Sequence, residues 1–150
     1  MTRRISYVQM MSKAYEKALT AKKSVVSVTK GAEQENWNAE ATGIDESVSG
    51  VIVADNGPEI LILSYASICE DAKEWCVTFS DKSEYKASLK KKDKNSGFAI
   101  FAVDKKSLSD ATWSASSVAS LGNSNLTEQG DVIFALGNIF GYAGGSGYGI

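Results

Sequence analysis

Two cysteines, a small acidic cluster, a glycine-bracketed serine and scattered lysines are the side chains of this 150-residue chain that could do chemistry. Histidine is absent. That removes the side chain that most often moves protons near neutral pH. Six residues separate Cys69 from Cys76, so a disulfide could close a small loop. The alternative is a pair of small apolar side chains in a core. Two sulfurs without an imidazole leave a tetrahedral site short of ligands, so neither a metal nor a cofactor is expected. Glu70, Asp71 and Glu74 lack calcium-loop spacing and read as a solvated turn. Gly144-Gly145-Ser146-Gly147 has no strand-then-helix context for a nucleophile elbow and reads as a flexible turn. Gly137 to Gly147 also lacks the Gly-Lys-Ser/Thr of a phosphate loop. Lys82, Lys86 and Lys105 carry no sign of a catalytic base. Tyr65 and Ser67 read either as cleft lining or as packed side chains.

The elements that position these groups follow from length and pattern. A chain of this size suggests one domain with a real core. Its apolar and charged fractions, 43% and 23%, are those of an ordinary globular protein. A net charge of −2 with interleaved signs argues against a nucleic-acid partner. The basic run Lys90-Lys91-Lys92 with Lys94 is broken by Asp93 and reads as a solvated strand end. No apolar stretch approaches the ~20 residues of a membrane span. The N-terminus lacks the apolar core of a signal peptide. Thr2-Arg3-Arg4 is compatible with the basic flank of a membrane anchor upstream of residue 1.

From Ile5 to about Lys23, apolar residues recur at three- and four-residue steps and predict an amphipathic helix. It either packs on its own domain, the commoner case, or binds a partner. Thereafter the period shortens. Strands are expected over 24–29, 49–54, 59–64, 75–80, 85–90, 98–103 and 131–136. Asp55-Asn56-Gly57-Pro58 turns the second into the third. Trp75, Val77 and Phe79 should face one way, and the run Phe98 to Val103 should be buried on both faces. Gly31 to Ser47 reads as a loop or decorated hairpin, and Lys105 to Thr127 as a long serine-rich connection. About seven short strands imply a mainly β chain, an antiparallel barrel or sandwich.

Four segments, in order, resemble the HtrA-like branch of trypsin-like serine proteases. Ser24-Val25-Val26-Ser27-Val28 is similar to that family's opening strand. Ser49-Gly50-Val51-Ile52-Val53 is similar to its Gly-Ser-Gly-Val-Ile-Ile strand. Ser80-Asp81-Lys82-Ser83-Glu84-Tyr85-Lys86-Ala87 resembles its Asp-Gly-x-x-Tyr-x-Ala hairpin. Leu121-Gly122-Asn123-Ser124, followed by Gly130 to Gly141, resembles Leu-Gly-Asp-Ser and then Gly-Asp-x-Val-x-Ala-Ile-Gly-Asn-Pro-Phe-Gly, with Ile139 where the proline stands. The resemblance implies a six-stranded antiparallel barrel over residues 24–150, preceded by the helix of residues 1–23. Tyr148-Gly149-Ile150 is similar to the start of the second barrel, which the resemblance places after the end of this sequence.

The family's histidine position, in Ile-Leu-Thr-Asn-x-His-Val, falls on Ser67. Its aspartate position, in Thr-Asp-Leu-Ala-Val-Leu, falls on Gly97. A serine hydroxyl does not take up a proton near neutral pH, and glycine has no carboxylate to orient a base. Losing one triad member already removes most of the rate. The resemblance therefore implies a non-catalytic scaffold that binds protein or peptide, with strand addition at an open edge as the mode. A serine peptidase relative with a non-standard mechanism is the alternative. The face that a second barrel covers in the family would favour homo-oligomers. An extracytoplasmic location is implied by the resemblance alone.

Overall fold

The computed structural model describes residues 6–31, 47–139 and 142–149, with backbone only from 138 onward. The expected loop from Gly31 to Ser47 lies almost wholly outside these residues, as does Thr2-Arg3-Arg4. Helix α1 spans Tyr7–Lys22 and is capped by Ser6, whose hydroxyl accepts from the Gln9 N–H at 3.2 Å. Among the described residues eight strands follow: β1 (Val25–Lys30), β2 (Ser47–Asp55), β3 (Glu59–Tyr65), β4 (Trp75–Thr78), β5 (Glu84–Lys92), β6 (Phe98–Asp104), β7 (Ile133–Ile139) and β8 (Tyr142–Gly149).

The first six close into an antiparallel barrel in the order β1-β2-β3-β6-β5-β4. Register shifts interrupt β2 between Ile52 and Ala54 and β5 between Leu89 and Lys91. Such bulges bend strands, which closure requires. The β-branched strands fill the interior. Val28, Ile52, Ile60, Ile62, Val77, Phe101 and Val103 are all at 0% exposure. Gly50 is needed there, because a Cβ would lie 2.8 Å from Ile62 Cγ2 and 3.1 Å from Val26 Cγ2.

The alternation in β4 holds: Trp75 and Val77 are buried, as is Phe79 just beyond it. The expectation for Phe98 to Val103 holds only in part. Phe98 is 43% exposed and Ile100 half-buried, because only alternate residues of β6 face the barrel interior.

The serine-rich connection carries a short helix α2 (Asp110–Ser114), capped by Ser109. It is tied to the barrel by a hydroxyl cluster. Thr112, with 0% exposure, donates to Asp81 Oδ2 at 2.7 Å and lies 2.9 Å from both Tyr85 Oη and Ser109 Oγ. Lys105 Nζ pairs with Asp55 at 2.5 Å and sits 5.0 Å from the Trp113 ring centre.

β7 and β8 lie outside the closed barrel, as a separate two-stranded sheet. The expectation of a flexible turn at Gly144 to Gly147 is therefore corrected. Those residues form the middle of β8, with Gly145 opposite Gly137, Ser146 opposite Leu136 and Gly147 opposite Ala135. Small residues give no periodic signal; the partner strand supplies the extended conformation. Gly137 lets β7 approach the barrel, since a Cβ there would stand 2.6 Å from Ser49 Oγ.

Candidate functional site

Ser67 and Gly97 are brought to the same end of the barrel. β3 ends at Tyr65, which pairs with Phe98, the first residue of β6. A 3-10 turn, Ala66–Cys69, follows β3 and carries Ser67. The Ala66 N–H donates to the Gly97 carbonyl at 2.8 Å, which locks the two segments side by side. The turn is anchored from below. Ile68 is 2% exposed, and its carbonyl accepts from Trp75 Nε1 at 3.0 Å. Ser67 itself projects into solvent.

Gly97 closes the turn between β5 and β6. Its N–H donates to the Asp93 carbonyl at 3.1 Å, and the Asp93 N–H donates to the Phe98 carbonyl at 2.9 Å. Its φ is +76°, the left-handed region that disfavours a side chain, although no heavy atom lies within 4 Å of a Cβ placed there. Position 97 therefore lacks a carboxylate and also has a backbone unsuited to one. The nearby Asp93 is occupied inside the turn. Its carboxylate accepts from the Asn95 N–H at 3.0 Å, and that bond, with a further one from Ser96, holds its pKa below the usual carboxylate range.

The same end presents an aromatic pair. The rings of Tyr65 and Phe98 stack at 5.8 Å between centres and 24° between planes, with the two residues 52% and 43% exposed. The sequence reading singled out Tyr65 and missed Phe98. The signal was the hairpin register, which sets the residue after Gly97 opposite the residue before Ala66.

Cys69 and Cys76 are both free thiols. Cys76 alternates with inward-facing Trp75 and Val77 and so lies on the outer face of β4, whereas Cys69 packs against the core. This placement takes the two sulfurs to different surroundings. Burial pushes the Cys69 thiol up, with the Lys92 ammonium opposing, so the nucleophilic thiolate is disfavoured.

The remaining candidates are dispersed. Asp71 is a turn residue with φ +54°, and Glu74 pairs with Lys86 at 3.3 Å. Lys82 occupies a turn with φ +72°, and Lys105 is held by Asp55. Among the described residues no group of three metal-ligating side chains comes together. Nor is any described helix long and apolar enough to cross a membrane.

A closed six-stranded antiparallel barrel preceded by a helix matches the barrel of trypsin-like serine proteases. No family model matches the chain. It is 34% identical over 94 residues to a probable periplasmic DegP-like serine endoprotease of Pseudomonas savastanoi pv. phaseolicola, covering 63% of this chain and 17% of that protein. It superimposes on the crystal structure of a serine endoprotease from Yersinia pestis with a TM-score of 0.66 and 25% identity, over 91% of this chain and 43% of that one. The chain is thus similar to HtrA-like members of the trypsin-like serine proteases, over what corresponds to their N-terminal barrel. It spans about one sixth of the curated relative and under half of the solved structure.

Proposed function

We propose that this chain is a non-catalytic HtrA-like barrel that works by binding protein or peptide segments outside the cytoplasm. The observation that carries the reading is the Ser67–Gly97 pair. An exposed alcohol stands at the base position, and a side-chain-free residue at φ +76° stands at the acid position. Neither can draw a proton from a nucleophile at neutral pH, and the 150 residues hold no histidine to replace them.

Closure of the barrel revises the mode of binding. Among the described residues the six barrel strands are all paired on both sides, so strand addition is confined to the β7–β8 sheet. The stacked Tyr65–Phe98 pair offers an alternative contact, because exposed aromatic faces can anchor apolar peptide side chains. A periplasmic name for the DegP-like relative supports the location.

The test pairs two measurements on the full chain. Incubation with casein and with unstructured peptides should yield no cleavage, while calorimetric titration with the same peptides should give saturable heat that Phe98→Ala diminishes. Turnover abolished by a single point change would refute the non-catalytic reading. Absence of heat from every peptide would refute the binding one.

A further inference from the structure

Charge and apolar exposure converge on α1. Residues 1–23 hold Arg3, Arg4, Lys13, Lys17, Lys22 and Lys23 against Glu16 alone, a net +5, which leaves −7 on residues 24–150. A basic segment on an acidic body is a partner signature, because interleaved charge would serve solubility equally well. Lys13, Lys17, Lys22 and Lys23 form no ion pair among the described residues.

The helix is also poorly buried. Ala18 is its one buried residue, while Tyr7, Val8, Tyr15 and Leu19 are 68%, 73%, 57% and 49% exposed. At 100° per residue these four fall within an arc of about 120°. They line an open groove of about 690 Å³ whose other wall includes Phe134 and Leu136 of β7. Lys22 closes the C-terminal end of the same arc, where its long stem can lie along apolar surface with the ammonium at the edge.

We propose that α1 is an interfacial helix that docks this chain on an anionic lipid bilayer. Its exposed apolar arc enters the headgroup boundary, with Lys22 inside the arc and Lys23 just beyond its edge set to meet lipid phosphates, while Lys13 and Lys17 lie on the opposite face and add only to the helix's net charge. The net −7 of residues 24–150 keeps the barrel off the surface, so only the helix end engages. Docking makes no demand on the Ser67–Gly97 end.

Co-sedimentation of the full chain with two vesicle types tests this. One is phosphatidylcholine alone; the other adds about one-third phosphatidylglycerol. At about 0.1 M salt the chain should partition at least tenfold more strongly into the anionic vesicles. Raising salt to about 0.5 M should abolish most of that preference. Lys22→Gln and Lys23→Gln should each weaken binding about fivefold, and Lys13→Gln or Lys17→Gln on the opposite face should weaken it less. Leu19→Glu and Val8→Glu should each weaken it about tenfold. Both apolar positions are solvent-exposed, so an unchanged circular dichroism spectrum certifies the fold. Equal binding to both vesicles, no binding, or binding indifferent to Leu19→Glu and Val8→Glu would overturn the proposal. So would self-association lost in Leu19→Glu without lipid binding, which would place a second copy on the arc.

Discussion

The two ends of β5 handle polar groups in opposite ways. Where β5 begins, Asp81, Tyr85, Ser109 and Thr112 satisfy one another around a threonine with no solvent exposure. Where it leads into β6, Ser67 faces water, Gly97 has no side chain, and two aromatic rings stand half in solvent. In an active relative of this fold, a buried network would be expected at the second end, to orient a base. Here the buried network sits at the first end, where it pins α2 to the barrel. The contrast separates what holds the fold from what performs chemistry. The fold-holding network is buried and satisfied, and the Ser67–Gly97 end has no buried polar network beside it among the described residues.

The largest effect should come from breaking the intact end. Thr112→Val keeps the shape, removes the shared hydroxyl and leaves Asp81, Tyr85 and Ser109 short of a partner. A loss of about 1–3 kcal/mol is expected, read as a drop of several degrees in Tm. The effect should depend on pH with a definite sign. The Ser83 N–H first, and then the Thr112 hydroxyl, hold the Asp81 carboxyl below its ordinary range. A depressed carboxyl contributes stability above its unfolded pKa of about 3.9 and loses it as pH falls through the folded value. The gap between wild type and Thr112→Val should therefore narrow below about pH 4. A gap constant from pH 7 down to the acid limb would detach Asp81 from the network.

The next effect probes the Ser67–Gly97 end. Ser67→His with Gly97→Asp restores both residue types yet should not restore proteolysis. It should also cost about 1–2 kcal/mol in urea unfolding, because residue 97 is left-handed. Cleavage by this double variant would show the site to be intact apart from its side chains. Lys82→Gly is the mirror experiment. Lys82 has φ +72° at the place where the HtrA-like hairpin motif has glycine. Relief of that backbone cost, less the entropy glycine adds to the unfolded chain, should stabilise by about 0.5–1 kcal/mol. Two positions share one conformation and hold opposite residues, so the signs should be opposite.

Much of the barrel was legible from residues that alternate or branch at Cβ. The inward set Trp75, Val77 and Phe79 was readable from period two alone, and α1 from its three- and four-residue steps. Closure was legible only through the family resemblance, because β1 pairing with β4 and β3 pairing with β6 join segments far apart in the sequence. α2 is too short for a helical period, and apart from its cap Ser109 the anchoring Thr112 hydroxyl finds its partners, Asp81 and Tyr85, far away in the sequence. Ser67 and Gly97 were found through motif order. Their adjacency depends on the Tyr65–Phe98 register, which also explains why Phe98 escaped notice.

The smallest stability effect should come from Tyr65→Ala, and it sharpens the contrast most. A cross-strand pair on an outer face contributes about 0.2–1 kcal/mol. Both rings are close to half exposed, so the lower part of that range is expected. Thermal unfolding should shift by a degree or two, well short of the Thr112→Val shift. If the aromatic pair is kept for contact and not for packing, the same substitution should weaken peptide binding about tenfold while the barrel stays folded. A Tyr65→Ala variant as destabilised as Thr112→Val would instead make the pair a structural clasp. The two ends of β5 would then differ only in which side chains hold them together.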